Sequence, residues 1–226
     1  MRLVYAPYGI ELSLMENQMY TLVVENPRAL CEILQDLVGQ INGDTGEWIL
    51  SETDTILPFA KNCALIDNPL MVNCNEKKIL AKLYKELADN VNSMMYEEYS
   101  QLNSDMVCFL EKLLHTVPYH LDMELGIDAS TILKAYDVKM VEDGVEPLEI
   151  LIDYLRAISS ICGIRVVWLL NLKQFFSKEQ MQQLYEFCFY EKICLINLEG
   201  QKNYSLKQES CVIIDKDLCL INSPSN

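Results

Sequence analysis

The chain has 226 residues, half of them hydrophobic, with a formal net charge of −15 and a mean hydropathy of +0.07. That length suits one domain of ordinary size or a core with a sizeable insertion, and the apolar content favours self-association to cover what folding leaves exposed. Taken alone, the charge argues against nucleic acid as a partner unless the eighteen Lys and Arg gather on one surface.

The first elements in chain order are short strands. "RLVYA" and "GIELSL" read as a strand pair around a Pro-Tyr-Gly turn, and "QMYTLVVEN" as a buried strand. "PRALCEILQDLVGQI" reads as a helix, with Pro27 near its first position and apolar residues at helical spacing. "GEWILSE" and "CALIDNPLMV" are further short strands or loops.

From residue 73 the pattern turns helical. "NEKKILAKLYKELADNVNSMMYEEYSQLNSDMVCFLEKLLHTV" predicts two helices broken near "QLNSD", where Asn103, Ser104 and Asp105 offer capping side chains. "DASTILKAYDVKMVED" predicts a short helix followed by a strand. "EPLEILIDYLRAISSICG" is a further helix, and "RVVWLLNLKQFFSKEQMQQLYEFCFYEKICLINLE" gives strand, loop, helix, strand. "SCVIIDKD" and "LCLINS" close the chain as a strand pair. Strands alternating with helices predict an α/β head over residues 1–72 and 152–226, with residues 73–151 inserted as a helical leg domain.

No apolar run approaches the ~18–20 residues of a membrane span. The N-terminal stretch lacks the pattern of a secretion signal. The nine cysteines include no CxxC pair, so reduced thiols in a cytoplasmic protein are expected. Cys188, Cys194, Cys211 and Cys219 stand in apolar context, where Cys acts as a small hydrophobe.

The segment around Asn171 has the form that P-loop ATPases carry around a metal-holding acid, but here the acid is an amide. The strand "YTLVVEN" also runs directly into a helix, as before a phosphate loop. The turn "ENPRA" has no Gly, Lys, Ser or Thr, and Pro27 removes an amide donor. ATP hydrolysis is therefore not expected, and an ordinary α/β core accounts for the segment. His115 and His120 flank Pro118 without a Cys pair nearby and do not form a metal pattern.

Two features could carry function. At 100° per residue, Lys78, Lys82 and Lys85 fall in one narrow sector, with Lys77 beside them. Ile79, Leu80, Leu83, Tyr84 and Leu87 lie opposite. Such a stripe suits phosphate contacts, and it also suits an ordinary solvated face. The second is "HLDMELGIDAS", where Asp122, Glu124 and Asp128 offer hard oxygens of the kind calcium accepts. Asp122 or Asp128 could equally cap a helix. Glu142, Asp143, Glu146 and Glu149 are an alternative acidic group.

The two-strand opening, "NEKKILAKLYKEL" before a long helix, "LDMEL" before "STILKAYDVKMVE", and "VVWLLNLKQFFSKEQMQQL" followed by "ICLINLEG" occur in an order that resembles one family. It is the accessory adaptation protein of type II-A CRISPR systems, the Csn-two family, and the resemblance spans nearly the whole chain. The resemblance implies a degenerate P-loop NTPase-like head with an inserted helical leg. It implies a ring-shaped homotetramer that binds double-stranded DNA at free ends without sequence specificity. It also implies no ATPase activity, support of the assembly by calcium, and a role in spacer acquisition beside the integrase pair and the effector nuclease. It places Asp122 and Glu124 where the family has calcium ligands, with Asp128 beside them. It makes the stripe at Lys77, Lys78, Lys82 and Lys85 a candidate DNA-facing surface. A nucleotide-binding regulator on the same frame and a pure protein scaffold of the acquisition complex are the other readings.

Overall fold

The structure is a computed structural model and describes residues 1–16, 18–141 and 144–223. In chain order the elements are β1 (Arg2–Tyr5), β2 (Ile10–Ser13), β3 (Met19–Val24), α1 (Pro27–Ile41), β4 (Trp48–Glu52), β5 (Thr55–Ile56), α2 (Phe59–Asn62) and β6 (Cys63–Ile66). Then come α3 (Lys77–Met94), α4 (Tyr96–Leu114), α5 (Ala129–Ala135) and α6 (Pro147–Ser160). The last are β7 (Val166–Leu170), α7 (Lys178–Tyr190), β8 (Cys194–Glu199), β9 (Glu209–Ile214) and β10 (Leu220–Ser223). The fold is α/β, and the chain forms two compact units, Met1–Cys74 with Glu142–Asn226, and Asn75–Val141.

The first unit is built on a six-stranded sheet in the order β10-β9-β3-β8-β7-β6. All neighbours are parallel except β10 on β9. All six residues of β3 and all six of β8 are buried, as expected of central parallel strands covered on both faces. A second, antiparallel sheet runs β2-β1-β4-β5. Its first turn closes at Gly9, whose φ of 64° is the left-handed region that glycine enters without a Cβ penalty.

Alternation along β3 sends Tyr20, Leu22 and Val24 into one core with Ala29, Ile33 and Leu37 of α1. Those α1 residues are four apart and share one helical face. Tyr5 stacks on Trp48 at 4.5 Å between ring centres, and Trp48 meets Trp168 edge-on at 4.9 Å. Gln40 fixes the start of β4, accepting from the Trp48 amide at 2.8 Å and donating to its carbonyl at 3.0 Å. Alternation turns Thr21 and Val23 to the opposite face, where Val23 packs with Cys211 and Ile213. Burial pushes the Cys63 and Cys194 thiols up to about 12. Cys188 and Cys211 are buried as expected of small hydrophobes, whereas Cys219 is exposed in the turn before β10.

The second unit departs from the sequence reading twice. The two long helices meet at Met95, not near Asn103–Asp105. Glu97 and Glu98 then stand in the first turn of α4, where the helix dipole favours acids. The supposed caps lie mid-helix and bond elsewhere: Asn103 Nδ2 donates to the Leu125 carbonyl, and the Ser104 hydroxyl donates to the Ser100 carbonyl. The strand expected after α5 also does not form through Val141; Glu142 and Asp143 lie outside the described residues. Residues 137–141 are instead held by side chains. Tyr84 Oη donates to the Val138 carbonyl at 2.6 Å, and Asn75 bonds both backbone groups of Met140.

Candidate functional site

In parallel α/β sheets, ligands bind beyond the carboxyl ends of the strands. Here those ends carry the β3–α1 turn, Asn171 after β7 and Glu199 at the end of β8. Asn26 caps α1, its Oδ1 accepting from the amides of Arg28 at 3.0 Å and Ala29 at 3.2 Å. Its Nδ2 donates to the Lys216 carbonyl at 2.9 Å. Pro27 has no amide hydrogen, and the Leu30 amide bonds the Asn26 carbonyl at 3.0 Å. The amides that would face a phosphate are thus taken within the chain.

Asn171 takes φ 51°, in the left-handed region that Asn tolerates, and its Oδ1 accepts from the Gly200 amide at 3.1 Å. Next to it lies a polar network that the sequence reading missed. Lys173 Nζ bonds the Glu209 carboxylate and donates to the Tyr204 carbonyl at 2.9 Å. The Thr21 hydroxyl donates to Glu209, and the Leu206 amide donates to its other oxygen at 2.8 Å. Glu199, fully buried, accepts from Asn197 Nδ2 at 2.6 Å, Asn203 Nδ2 at 3.0 Å and the Lys173 amide at 3.2 Å. The buried Tyr185 hydroxyl lies beside Thr21 without good hydrogen-bond geometry, and burial pushes it well above the usual phenol range. Lys173 and Glu209 are closed off from solvent and bonded to each other, and buried Glu199 is held by amide donors alone. They hold the segment 200–208 onto the sheet and do not offer a ligand site.

The cationic stripe is on the second unit. Lys77, Lys78, Lys82 and Lys85 are all exposed on α3, while Ile79 and Tyr84 are buried. The amphipathic split read from the sequence is therefore present. Glu76 stands at the N-cap of α3 without a side-chain bond to a helix amide, and no acid follows it in the first turn. Lys77 and Lys78 occupy the positive end of the helix dipole, where cations are disfavoured in a purely structural helix.

Asp122, Glu124 and Asp128 are exposed and are not brought together. Asp122 Oδ1 accepts from the Met123 amide at 2.9 Å, and Asp128 Oδ2 accepts from the Ser130 hydroxyl. Asp128 stands at the N-cap position of α5 without a side-chain bond to a helix amide. Glu149 Oε2 accepts from the amides of Val145 and Glu146 at the start of α6. Among the described residues no three His, Cys, Asp or Glu side chains gather at metal distance. Calcium takes six to eight oxygens, so the acidic loop of one chain does not by itself form its shell. Glu111, His115 and His120 line a shallow cavity with Asp122, again without such a cluster.

Among the described residues, no helix is long and apolar enough to cross a membrane. The sequence model of one protein family, described as CRISPR-associated protein (Cas_Csn2), matches residues 40–218. No curated protein matches the chain. Among solved structures, a bacterial Atm1-family ABC exporter with ATP bound is similar at a TM-score of 0.40 and 8% identity. The alignment covers 92% of this chain and 34% of that chain.

Proposed function

The chain belongs to the Cas_Csn2 family of CRISPR-associated proteins, and on that premise we propose that it is a non-catalytic, sequence-independent binder of double-stranded DNA that serves spacer acquisition. The observation that carries this reading is the α3 stripe. Four exposed lysines fall within nine residues of α3, two of them, Lys77 and Lys78, in its first turn, in a protein with a net charge of −15. Placing cations against the helix dipole costs stability, and an anion restores the balance. Flexible ammonium groups suit phosphate contacts that need no sequence code.

The remaining parts of the reading rest on the resemblance and the family. The head is a P-loop-like frame whose β3–α1 turn no longer receives phosphate, which the Asn26 bonds support. The working form is a homotetrameric ring that takes linear DNA by its ends, in company with the integrase proteins and the effector nuclease. Calcium supports the assembly, with Asp122 and Glu124 among its ligands and the other oxygens supplied from outside the loop.

The test is a mobility-shift titration with linear duplex, with and without calcium, beside a sizing column. Retarded duplex of any sequence, at a salt-dependent affinity, is the expected result. Absence of any shift from the isolated protein overturns the reading and leaves a protein scaffold.

A further inference from the structure

A cavity of about 300 Å³ lies in the first unit, at the amino ends of the central strands β3, β7 and β8. That is the lower end of the range for small-molecule sites, roughly 300–1,000 Å³. Leu14, Met15, Phe189 and Ile193 give it apolar walls, while Arg165, Lys192, Glu52 and Glu16 bring charges of both signs. Glu52 takes two of the five guanidinium donors of Arg165, at 2.8 and 2.6 Å, and so fixes the group in place. The other three have no acceptor among the described residues. Lys192 and Glu16 are exposed and have no ion-pair partner among the described residues.

The backbone at Lys192 is strained. Helix α7 ends in a Schellman turn, in which the Ile193 amide donates to the Cys188 carbonyl at 2.9 Å and the Lys192 amide to the Phe189 carbonyl at 3.3 Å. The pivot of that turn is usually glycine, and here Lys192 takes φ 57°. After α1 and α6 the left-handed residues are Gly43 and Gly163. A cation suits the negative end of a helix, but any position in the last turn supplies one without a left-handed backbone. Lysine held in this conformation beside a cavity points to a use for its side chain. We propose that the cavity binds a free α-amino acid with an apolar side chain. Its carboxylate meets the open donors of Arg165 and the Lys192 ammonium, and its α-ammonium meets Glu16. Its side chain lies against Leu14, Met15, Phe189 and Ile193. A simple anion would leave Glu16 unmatched, and a simple cation would leave Arg165 and Lys192 unmatched, so the mixed lining selects a zwitterion. The site is separate from the α3 stripe and does not depend on the DNA reading.

Titration calorimetry on the full chain tests it, with L-phenylalanine, L-leucine and glycine as probes. Saturable binding of the first two and none of glycine is expected, because glycine has no apolar body. 3-Phenylpropionate, which lacks the ammonium, and phenethylamine, which lacks the carboxylate, should each bind at least about tenfold more weakly than L-phenylalanine, the worth of one hydrogen bond to a charged group. Lys192→Gly should weaken L-phenylalanine by a similar factor while the melting temperature holds or rises, because glycine relieves the left-handed strain. Glu16→Gln should weaken L-phenylalanine but not 3-phenylpropionate. No saturable binding of either apolar amino acid up to millimolar concentration overturns the proposal. Binding of 3-phenylpropionate as tight as that of L-phenylalanine rejects the zwitterion. Binding that survives both Lys192→Gly and Glu16→Gln unchanged rejects this cavity as the site.

Discussion

Lys173 reaches across two strands to Glu209. In the sheet order β9-β3-β8-β7, Glu209 opens β9 and Lys173 follows β7, so β3 and β8 lie between them. Their side chains are 2% and 0% exposed. The pair passes over Thr21, whose Oγ1 is 3.5 Å from Lys173 Nζ.

A buried ion pair adds little net stability over an apolar pair, but removing one partner strands the other charge. Lys173→Met should therefore destabilise the protein by ~3–5 kcal/mol in urea unfolding. Lys173→Met with Glu209→Leu should cost less than the sum of the single changes, because neither charge is left alone. Additive losses would mean that the two side chains act independently. Part of the cost should persist in the double variant, since the Tyr204 carbonyl and Leu206 amide lose their partners as well.

Arg165 holds Glu52 through two bonds, at 2.8 and 2.6 Å. The Arg165 hydrogen bond lowers the Glu52 carboxyl, partly opposed by desolvation and reinforced by the Arg165 charge. A carboxylate lowered in the folded state contributes stability above its unfolded value, about 4.3, and that stability is lost as pH falls through the folded value. Urea midpoints measured from pH 7 down to pH 3 should fall less steeply for Glu52→Gln than for the wild type. Parallel curves would show that the pair does not couple folding to pH. The effect should be small, because both side chains are nearly half exposed.

Local pattern made the framework legible. β3 and β8 are apolar runs long enough only for strands, and α1 has its capping Asn26, its Pro27 and a four-residue apolar spacing. The Lys173–Glu209 network was not legible, because its members lie 36 and 152 positions apart and nothing local marks Lys173 as buried. The helix break was misplaced for a related reason. Asn103, Ser104 and Asp105 have the chemistry of caps, but α4 gives Asn103 a tertiary partner, the Leu125 carbonyl, and tertiary context overrides propensity. The lysine stripe was visible because one period relates its members. Whether three acids in a loop converge is a matter of loop geometry that no period encodes.

Asn26 offers a direct test of the nucleotide question. Asn26→Ala should cost about 1 kcal/mol through loss of the cap. Neither it nor the wild type should gain thermal stability from ATP with magnesium, since Pro27 donates no amide and no Lys or Gly stands in the turn. A saturable gain of ~1 kcal/mol on adding ATP would establish a nucleotide site.

On the proposed reading, calcium acts through Asp122 and Glu124. Melting temperature and sedimentation, each measured with calcium and with chelator, are expected to differ in the wild type. The double change Asp122→Ala, Glu124→Ala should abolish that difference while leaving the calcium-free values in place, because both side chains are exposed. An unchanged calcium response would move the ligands elsewhere.

The last prediction concerns the proposed binding of DNA by an acidic body. A net charge of −15 opposes long-range attraction to a duplex, so the contact must come from cations concentrated on a small surface. The exposed Lys77, Lys78, Lys82 and Lys85 are such a concentration, and a ring would present several copies of it to one channel. Each neutralised phosphate releases counterions, so affinity should fall with salt at a slope of about −0.9 per contact. Lys78→Glu, Lys82→Glu and Lys85→Glu together should weaken binding to linear duplex and flatten that slope without unfolding the chain. Topology separates a ring from an open basic face. A closed ring threads onto a free end but not onto a covalently closed circle of the same sequence. Tight binding to the linear form and weak binding to the circle are therefore expected in a filter-binding comparison. Equal affinity for both would reject threading, and unchanged binding after the three reversals would remove α3 from the DNA surface.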